Sequence, residues 1–407
     1  MFGCRNQRSG FFIKKDLSYS CFLDNVYVMR QTETLIIGAS ISGLASAASL
    51  QKKGLGYTII EKETRIATPW HNHYERLHLH TSKGLSNLPY KKFGKTIPRY
   101  PSRQQVIEYL ENYQRDFDIH PIFNNRAESV TRKSDYWVTE TSNGIFRSKY
   151  LILATGPYSK PKVYSVKGLE TFPGDVLHSC RYKTGRDFTG QRVLVIGFGN
   201  SACEIAIDLY EQGALPSMSV RSPVNVIPRD ILGVSVLRLG VLLSKLPPRL
   251  ADAINAPFLS LLMGDITKLG LQKMPYGVFE QIRKDRSIPV LDIGAVEHIR
   301  KGHISIHEDV DYVEGNRVHF TDGEKEKFDS IITATGYDTD IAEFVHVDKG
   351  RVEDLKLKSD RQKYFGKDGL YSCGFWIGPT GVIREISLDA RRIAKHIAGI
   401  EKSPVIG

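Results

Sequence analysis

The chain has 407 residues, of which 41% are hydrophobic and 25% charged, and this ordinary globular composition excludes disordered and fibrous proteins. At about 100–200 residues per domain, the length predicts two or three domains. The 56 Lys and Arg residues against 45 Asp and Glu residues give a net charge of +11 without a long block of like charge, which argues against a nucleic-acid-binding arm and favours small phosphorylated ligands.

Residues 1–29 are predicted to be a leader outside the folded body, which begins at about Met29. Lys14, Lys15 and Asp16 interrupt the apolar residues before the core of a signal peptide, about 7 residues long, can form. Two alternatives stay open for this leader: a disordered segment of the native protein, or an upstream start that is not native.

The cysteines are scattered and never spaced Cys-x-x-Cys; they are Cys4, Cys21, Cys180, Cys203 and Cys373. This pattern predicts a reducing, cytoplasmic environment and argues against a structural zinc site and against the paired cysteines of a disulfide reductase. Any redox chemistry must then come from a cofactor. Since no apolar run reaches the roughly 18 residues that a membrane-spanning helix needs, the sequence predicts no membrane span.

A first phosphate-binding turn is predicted near the start of the folded body. The apolar strand at 34–37 leads into Gly38-Ala-Ser-Ile-Ser-Gly43 and then into a helical pattern. Such a turn lets backbone N–H groups at a helix N-terminus approach a pyrophosphate, although Ser40 replaces the usual middle glycine. The next strand ends in Glu61, 23 positions after Gly38, near the distance at which an acid meets ribose hydroxyls. The alternatives are an ordinary glycine loop and a solvated carboxylate.

The nearest approach to a metal site is the histidine-rich stretch with His71, His73, His78 and His80. Alternation would place His78 and His80 on one face of a strand. No Cys, Asp or Glu converges locally on these histidines, so we predict that no metal binds there.

A second phosphate-binding turn is predicted at Gly197-Phe-Gly199-Asn-Ser-Ala202, between the apolar strand at 192–196 and a helix. Both leading glycines are present, and Ala202 is a tolerated small residue at the third position. The strand at 217–220 is followed by Arg221, whose guanidinium suits a 2′-phosphate, which favours NADP over NAD. The alternative is a surface arginine at a strand end.

Residues 231–263 are predicted to be an insertion of two or three short amphipathic helices, rich in Leu, Val and Ile and broken by prolines. This segment could roof a substrate tunnel or touch a membrane surface. We favour packing on its own domain over membrane contact.

Two dinucleotide-binding turns about 160 residues apart predict two different dinucleotides, most economically a flavin and a nicotinamide. The strand that ends in Ala154-Thr-Gly156 and the strand that ends in Ala334-Thr-Gly336 support this division. Because small residues let the chain leave a strand sharply, the duplicated segment indicates two crossovers between domains.

The segment Phe172-Pro-Gly174-Asp-Val-Leu-His178-Ser-Cys-Arg-Tyr182 fits F-x-G-x-x-x-H-x-x-x-Y, the identifying motif of class B flavin-dependent monooxygenases. The chain resembles this family, and over about residues 30–400 it is most similar to the YUCCA-type branch. Tyr182 favours this branch over Baeyer–Villiger relatives, which usually carry Trp there. The further segments that carry the resemblance are 66–70, 76–80, 100–105, 220–222, 264–270, 289–294 and 334–337.

The resemblance implies an α/β fold with two Rossmann-like dinucleotide-binding domains. An NADPH-binding domain, residues 161–325, would be inserted into a discontinuous FAD-binding domain, residues 30–160 and 326–402. The residues implied around FAD are Gly38, Ser40, Gly43, Glu61 and Trp70, with a plain core aromatic as the alternative for Trp70. Those implied around NADPH are Gly197, Gly199, Asn200, Ser201 and Arg221. His178 and Tyr182 would support the interface of the NADPH domain, and no metal is needed.

The activity implied is an NADPH- and O2-dependent monooxygenase that acts through a C4a-peroxyflavin on a small organic substrate. An aryl pyruvate such as indole-3-pyruvate would be converted to indole-3-acetate. The alternatives are an N- or S-oxygenating or Baeyer–Villiger monooxygenase, and an uncoupled NADPH oxidase-like flavoprotein. The sequence leaves the oligomeric state open.

Overall fold

The computed structural model describes residues 29–231, 233–347 and 365–402. Apart from Met29, which begins the first strand, the prediction about the leader falls outside the described residues. Cys4 and Cys21 also lie outside them.

The described chain contains both strands and helices. The strands are β1 (Met29–Ile37), β2 (Tyr57–Ile60), β3 (Ala127–Lys133), β4 (Tyr136–Thr141), β5 (Gly144–Leu153), β6 (Lys160–Pro161), β7 (Asp175–His178), β8 (Arg192–Ile196), β9 (Leu215–Ser219), β10 (Val226–Pro228), β11 (Asp230–Ile231), β12 (Val234–Ser235), β13 (Val290–Asp292), β14 (Ser305–His307), β15 (Val310–Glu314), β16 (Arg317–Phe320), β17 (Lys325–Lys327), β18 (Ser330–Thr333), β19 (Tyr337–Asp338), β20 (Val345–His346) and β21 (Leu370–Ser372). The α-helices are α1 (Ile41–Gln51), α2 (Thr68–Asn72), α3 (Arg103–Asp116), α4 (Asn200–Glu211), α5 (Val236–Leu243), α6 (Pro248–Met263), α7 (Val278–Asp285), α8 (Ala295–Arg300), α9 (Ile341–Phe344) and α10 (Val382–Lys402).

The first sheet has the order β2-β1-β5-β4-β3-β20, with β21 also paired to β5. β1 is parallel to both β2 and β5, whereas β3, β4 and β5 form an antiparallel meander. The run Leu35-Ile36-Ile37 is buried on both faces of β1, as the continuous apolar sequence predicts. Ile36 faces the core that α1 and α10 cover, and Leu35 and Ile37 face the opposite core.

The second sheet is parallel throughout, with the order β14-β9-β8-β18-β7. β8 stands at its centre, flanked by β9 on one side and β18 on the other. A separate antiparallel sheet of β15, β16 and β17 packs beside it through Val313, Val318 and Phe320. The second sheet is therefore an open parallel sheet of the type that binds nucleotides at the carboxyl ends of its strands.

The chain passes between the two sheets twice, and the two connections run side by side. The first follows β5 through Ala154-Thr-Gly156, and the second follows β18 through Ala334-Thr-Gly336. β6 on the first connection pairs antiparallel with β19 on the second. The duplicated segment thus marks both crossovers.

The predicted boundary at residues 325/326 is too early. β18 pairs with both β7 and β8, and its Ile331 and Ile332 are fully buried in the second sheet. The chain returns to the first sheet only at Ala334–Gly336, after β18 is complete. Strand pairing decides this boundary, and the local sequence does not show it.

The apolar insertion at 231–263 contains the short hairpin of β11 and β12 and two helices, α5 and α6. Leu243 and Ala251 pack on Phe279 of α7, so the inner face is buried. The outer face stays apolar: Phe258 and Leu261 are exposed, Leu261 by 83%. Over the described ranges, no helix has both the length and the apolarity to cross a membrane.

Candidate functional site

The two glycine turns occupy equivalent places in the two sheets. Gly38 follows β1 with φ +105°, and a Cβ there would lie 2.8 Å from the carbonyl oxygen of Ala154. Gly197 follows β8 with φ +117°, and a Cβ there would lie 2.8 Å from the carbonyl oxygen of Ala334. Each glycine therefore packs against the alanine of an Ala-Thr-Gly segment, in the crevice at the carboxyl ends of two neighbouring parallel strands, where the connections that follow the strands diverge. Dinucleotides bind at such switch points.

The first turn has the geometry of a pyrophosphate cradle. A Cβ on Gly43 would lie 1.8 Å from the carbonyl oxygen of Gly38, so only glycine fits there. Ser40 is the N-cap of α1, but its side chain makes no capping hydrogen bond. The N-terminal N–H groups of α1 thus remain available to an anion, which is the requirement for phosphate binding.

Glu61 ties the end of β2 to the first turn. One carboxylate oxygen accepts a hydrogen bond from the Ala39 N–H at 2.7 Å, and the other accepts from the Glu63 N–H at 3.1 Å. Because a carboxylate has about four lone-pair sites, acceptor capacity is left on both oxygens for ribose hydroxyls. The alternative of a purely solvated carboxylate is therefore wrong, because both oxygens accept backbone hydrogen bonds.

Two further polar atoms beside this turn are buried and have no partner among the described residues. They are Oδ1 of Asn125, whose N–H donates to the Glu61 carbonyl, and Oγ1 of Thr155, which follows the alanine that contacts Gly38. Buried polar atoms normally have partners, so these two fit a bound dinucleotide. The sequence did not single them out; the Ala-Thr-Gly repeat was the available signal for Thr155.

The second turn leaves an open space in front of α4. Gly199 is the N-cap of α4, and a Cβ there would meet no atom within 4 Å. Asn200 anchors the turn to β13, because its Oδ1 accepts from the Leu291 N–H at 2.8 Å. Ser201 follows on α4 beside the Tyr74 hydroxyl. The open approach at Gly199 fits a second pyrophosphate.

Arg221 lies two residues beyond the end of β9 and is exposed. Within the described ranges its guanidinium forms no hydrogen bond or ion pair, and Tyr164 is a titratable neighbour. A guanidinium held at this strand end without a carboxylate partner fits the 2′-phosphate of NADPH.

His178 supports the second crossover. The Cys180 N–H donates to its Nδ1 at 3.2 Å, so Nε2 carries the proton of the neutral ring and donates to the Gly336 carbonyl, also at 3.2 Å. Burial lowers the pKa of His178 and favours this neutral form. The ring packs edge-on against Tyr337. His178 therefore fixes the return connection rather than the reacting groups.

Tyr182 is buried inside the second domain, away from the wall of the cavity between the domains. Its hydroxyl donates to Oδ2 of Asp208 on α4 at 2.6 Å, and Asp208 also accepts from the Gly185 N–H at 2.9 Å. Burial, together with the neighbouring carboxylate, raises the pKa of Tyr182 well above its usual value. The tyrosine of the family motif thus clamps the motif onto α4.

We expect Tyr182→Phe to lower the free energy of unfolding by about 1.5–3 kcal/mol, because it removes a buried hydrogen bond to a charged group. Thermal melts of the purified protein measure this loss. The control is Tyr312→Phe, since no hydrogen bond of the Tyr312 hydroxyl is described and its ring stacks on His319. Equal melting temperatures for the two variants would contradict the clamp.

The histidine-rich stretch meets an acid that the sequence analysis missed. Glu204 on α4 is 1% exposed, and its Oε2 accepts from the Tyr74 hydroxyl at 2.7 Å and lies 3.3 Å from Nε2 of His80. The four histidines otherwise separate: Nδ1 of His78, for example, contacts the Arg76 carbonyl. In the part of the chain that is described, no three His, Cys, Asp or Glu side chains are arranged to hold a metal ion. Glu204 instead links the two domains.

A cavity of about 300 Å³ lies between the two turns. Its wall is mostly apolar and comes from both domains and from the insertion. Trp70 of α2 belongs to it, and the Ala67 N–H before α2 donates to the carbonyl of Ala39 in the first turn, so Trp70 is held next to that turn. The insertion therefore does roof a cavity. Other wall residues are Ile41, His80, Thr81, Tyr158, Asn200, Val236, Leu239, Leu243, Asn255, Val278, Ile282, Leu291, Pro379 and Ile383.

Comparison with known proteins identifies the family. Residues 35–230 match the family model described as pyridine nucleotide-disulphide oxidoreductase. Over 378 residues the chain is 38% identical to the indole-3-pyruvate monooxygenase YUCCA6 of Arabidopsis thaliana, covering 90% of each protein. The chain belongs to the YUCCA-type flavin monooxygenases. It is an FAD-dependent enzyme that uses NADPH and O2, and the predicted family, fold class and cofactors are confirmed.

Solved structures confirm the fold of this YUCCA-type monooxygenase. The flavin-containing monooxygenase from Stenotrophomonas maltophilia is 19% identical with a TM-score of 0.67, over 91% of this chain and 99% of that one. An open crystal structure of cyclohexanone monooxygenase is 18% identical with a TM-score of 0.71, over 92% and 88%. At these identities the likeness concerns the fold, which does not distinguish one oxygenation chemistry from another.

Proposed function

We propose that this YUCCA-type monooxygenase catalyses the oxidative decarboxylation of an aryl pyruvate, with indole-3-pyruvate as the substrate. The observation that carries the proposal is the 38% identity, over nine-tenths of both proteins, to a relative named for that reaction. The cavity supports it: about 300 Å³ is at the small end of ligand pockets, and an apolar wall suits an aromatic ring.

The reaction converts the pyruvate, O2, NADPH and one proton into the aryl acetate, CO2, water and NADP⁺. The bond between the keto carbon and the carboxylate breaks, one oxygen atom of O2 enters the new carboxylate, and the other leaves as water. NADPH supplies the two electrons. When bound, the flavin accepts the hydride and activates O2.

The chain's own residues bind and orient. Gly38, Ser40 and Gly43 leave the N–H groups of α1 open to the FAD pyrophosphate, and Glu61 accepts from the ribose, with Trp70 close by. Gly197, Gly199, Asn200 and Ser201 shape the corresponding site on α4, where Arg221 meets the 2′-phosphate of NADPH. We propose these two sets of residues as the two halves of the cofactor site.

Exclusion of water is the second task of the chain. Water in the cavity would let activated oxygen escape as hydrogen peroxide instead of reaching the substrate. Val236, Leu239 and Leu243 of α5 close the cavity on the side of the insertion, and His80 is held by Glu204. We propose that this apolar wall keeps NADPH oxidation coupled to oxygenation.

A substrate panel tests the proposal. The purified enzyme is given NADPH and either indole-3-pyruvate, cyclohexanone or a tertiary amine, and CO2, ester, N-oxide and hydrogen peroxide are measured. We expect CO2 and aryl acetate from the pyruvate in proportion to NADPH consumed. An ester or N-oxide as the main product would instead support the Baeyer–Villiger or N-oxygenating alternative, and peroxide with every substrate would support the oxidase-like one.

We further propose that the enzyme works in the cytoplasm. Cys180 and Cys203 are free thiols, and burial raises the pKa of Cys203, which keeps that thiol protonated. Such thiols suit a reducing compartment. Fractionation of cells that express the full chain checks this, and recovery in the secreted fraction would contradict it.

A further inference from the structure

One buried side chain in the cavity wall has no structural explanation. Asn255 lies on the inner face of α6, one turn after the buried Ala251, and is only 6% exposed. Its Oδ1 is buried, and no hydrogen-bond partner exists for it among the described residues. Other residues of the cavity wall, such as Val236, Val278 and Ile282, have apolar side chains that offer no hydrogen bond.

Three other polar side chains in this wall already have partners. Asn200 accepts from the Leu291 N–H, His80 contacts Glu204, and Oγ1 of Thr81 pairs with Oγ of Ser86 at 2.6 Å. Of the wall residues that the structure describes, Asn255 is the one whose buried side-chain oxygen has no partner. The wall of the cavity therefore contains one unpartnered acceptor in apolar surroundings.

An unpaired acceptor in such surroundings costs free energy, and asparagine is also a poor residue for a helix interior. Leucine would be the favourable residue at this position if packing alone decided it. A hydrogen-bond donor on a ligand would offset this cost. The site would then strongly prefer ligands that carry the donor, because a site built around a polar contact rejects an analogue without the matching group.

We propose that Asn255 is a specificity residue that accepts a hydrogen bond from a ring N–H of the substrate. The cavity would then select an aromatic ring that carries such a donor, as indole does, over a phenyl ring on the same keto acid. This inference rests on the proposed function, since it names the part of the aryl pyruvate that α6 recognises.

The kinetic test changes the acceptor and the donor in turn. For Asn255→Leu, kcat/KM with indole-3-pyruvate should fall about 10- to 100-fold, while kcat/KM with phenylpyruvate should stay the same or rise. In the unchanged enzyme, methylation of the indole nitrogen should cause a similar loss, and Asn255→Leu should be indifferent to that methyl group. Ile254→Ala, on the exposed face of α6, is the control and should leave kcat/KM unchanged with indole-3-pyruvate and with phenylpyruvate.

A binding test does not depend on turnover. The flavin-loaded protein is titrated with indole-3-acetate and with its N-methyl analogue. We expect the wild type to bind the N-methyl analogue about 10-fold more weakly than indole-3-acetate. Asn255→Leu should bind the two compounds equally. The inference would be overturned if Asn255→Leu lowered kcat/KM equally with both aryl pyruvates. Equal binding of indole-3-acetate and its N-methyl analogue to the wild type would also overturn it. Failure of the proposed function would give a different result, since the wild type would then release no CO2 from either pyruvate. The N-methyl comparison on the wild type decides the matter even if the variant does not fold.

Discussion

Gly43→Val and Gly38→Val are expected to yield protein with almost no bound flavin. At Gly43 even the first carbon of a side chain would overlap the carbonyl oxygen of Gly38, 1.8 Å away. At Gly38 the positive φ and the contact with Ala154 exclude a β-branched residue. Either change displaces the turn that would hold the pyrophosphate. The ratio of flavin absorbance to protein absorbance measures the effect.

The control for these variants is Gly399→Ala. Gly399 lies in α10, and a Cβ there would meet no atom within 4 Å, so flavin content should stay at the wild-type level. Circular dichroism of each variant separates loss of flavin from loss of the fold, since the second sheet is built without the Gly38 turn. Full flavin content in both valine variants would place the cradle elsewhere.

Arg221→Ala is expected to raise the NADPH concentration needed for half-maximal rate by about 10- to 100-fold. The Arg221 guanidinium is exposed and has no partner among the described residues, so a phosphate would gain a charge-assisted hydrogen bond worth about 1.5–3 kcal/mol. NADH lacks this phosphate, so its KM should hardly change. Steady-state kinetics with both nucleotides measure the difference.

Arg192→Ala is the matched control for Arg221→Ala. Arg192 is an arginine of the same domain, but it stands at the opposite end of the sheet and its Nε pairs with Asp329 at 3.5 Å. Its replacement should leave the KM for NADPH unchanged. If Arg221→Ala weakened the binding of NADPH and of NADH equally, the role of the arginine would be structural. If Arg221→Ala weakened the binding of neither nucleotide, the phosphate site would lie at another cation such as Arg181 or Lys183.

The parts of the site that local sequence could predict are those whose chemistry is local. The turns at Gly38 and Gly197 were predicted because strand, glycines and helix follow one another within a few residues. Glu61 was singled out because its distance along the chain from Gly38 reflects a single βαβ unit. The fold class followed from the family motif around His178 together with these two turns.

The parts that sequence could not predict depend on which strands become neighbours. Glu204 reaches His80 across 124 positions, and Asn125 meets Glu61 only because β2 and the 122–125 segment pair with each other. The domain boundary at 325/326 was placed too early for the same reason, since β18 pairs with β7 and β8. Asn255 was not singled out in the sequence, because only the packing of α6 places it in the cavity wall.

The most direct test of the account is the fate of the two atoms of O2. The enzyme, NADPH and indole-3-pyruvate react under ¹⁸O2, and mass spectrometry determines the label in the product. The account predicts indole-3-acetate that carries one ¹⁸O atom in its carboxylate, with one CO2 released for each NADPH oxidised. Unlabelled product, or labelled hydrogen peroxide with no indole-3-acetate, would contradict it.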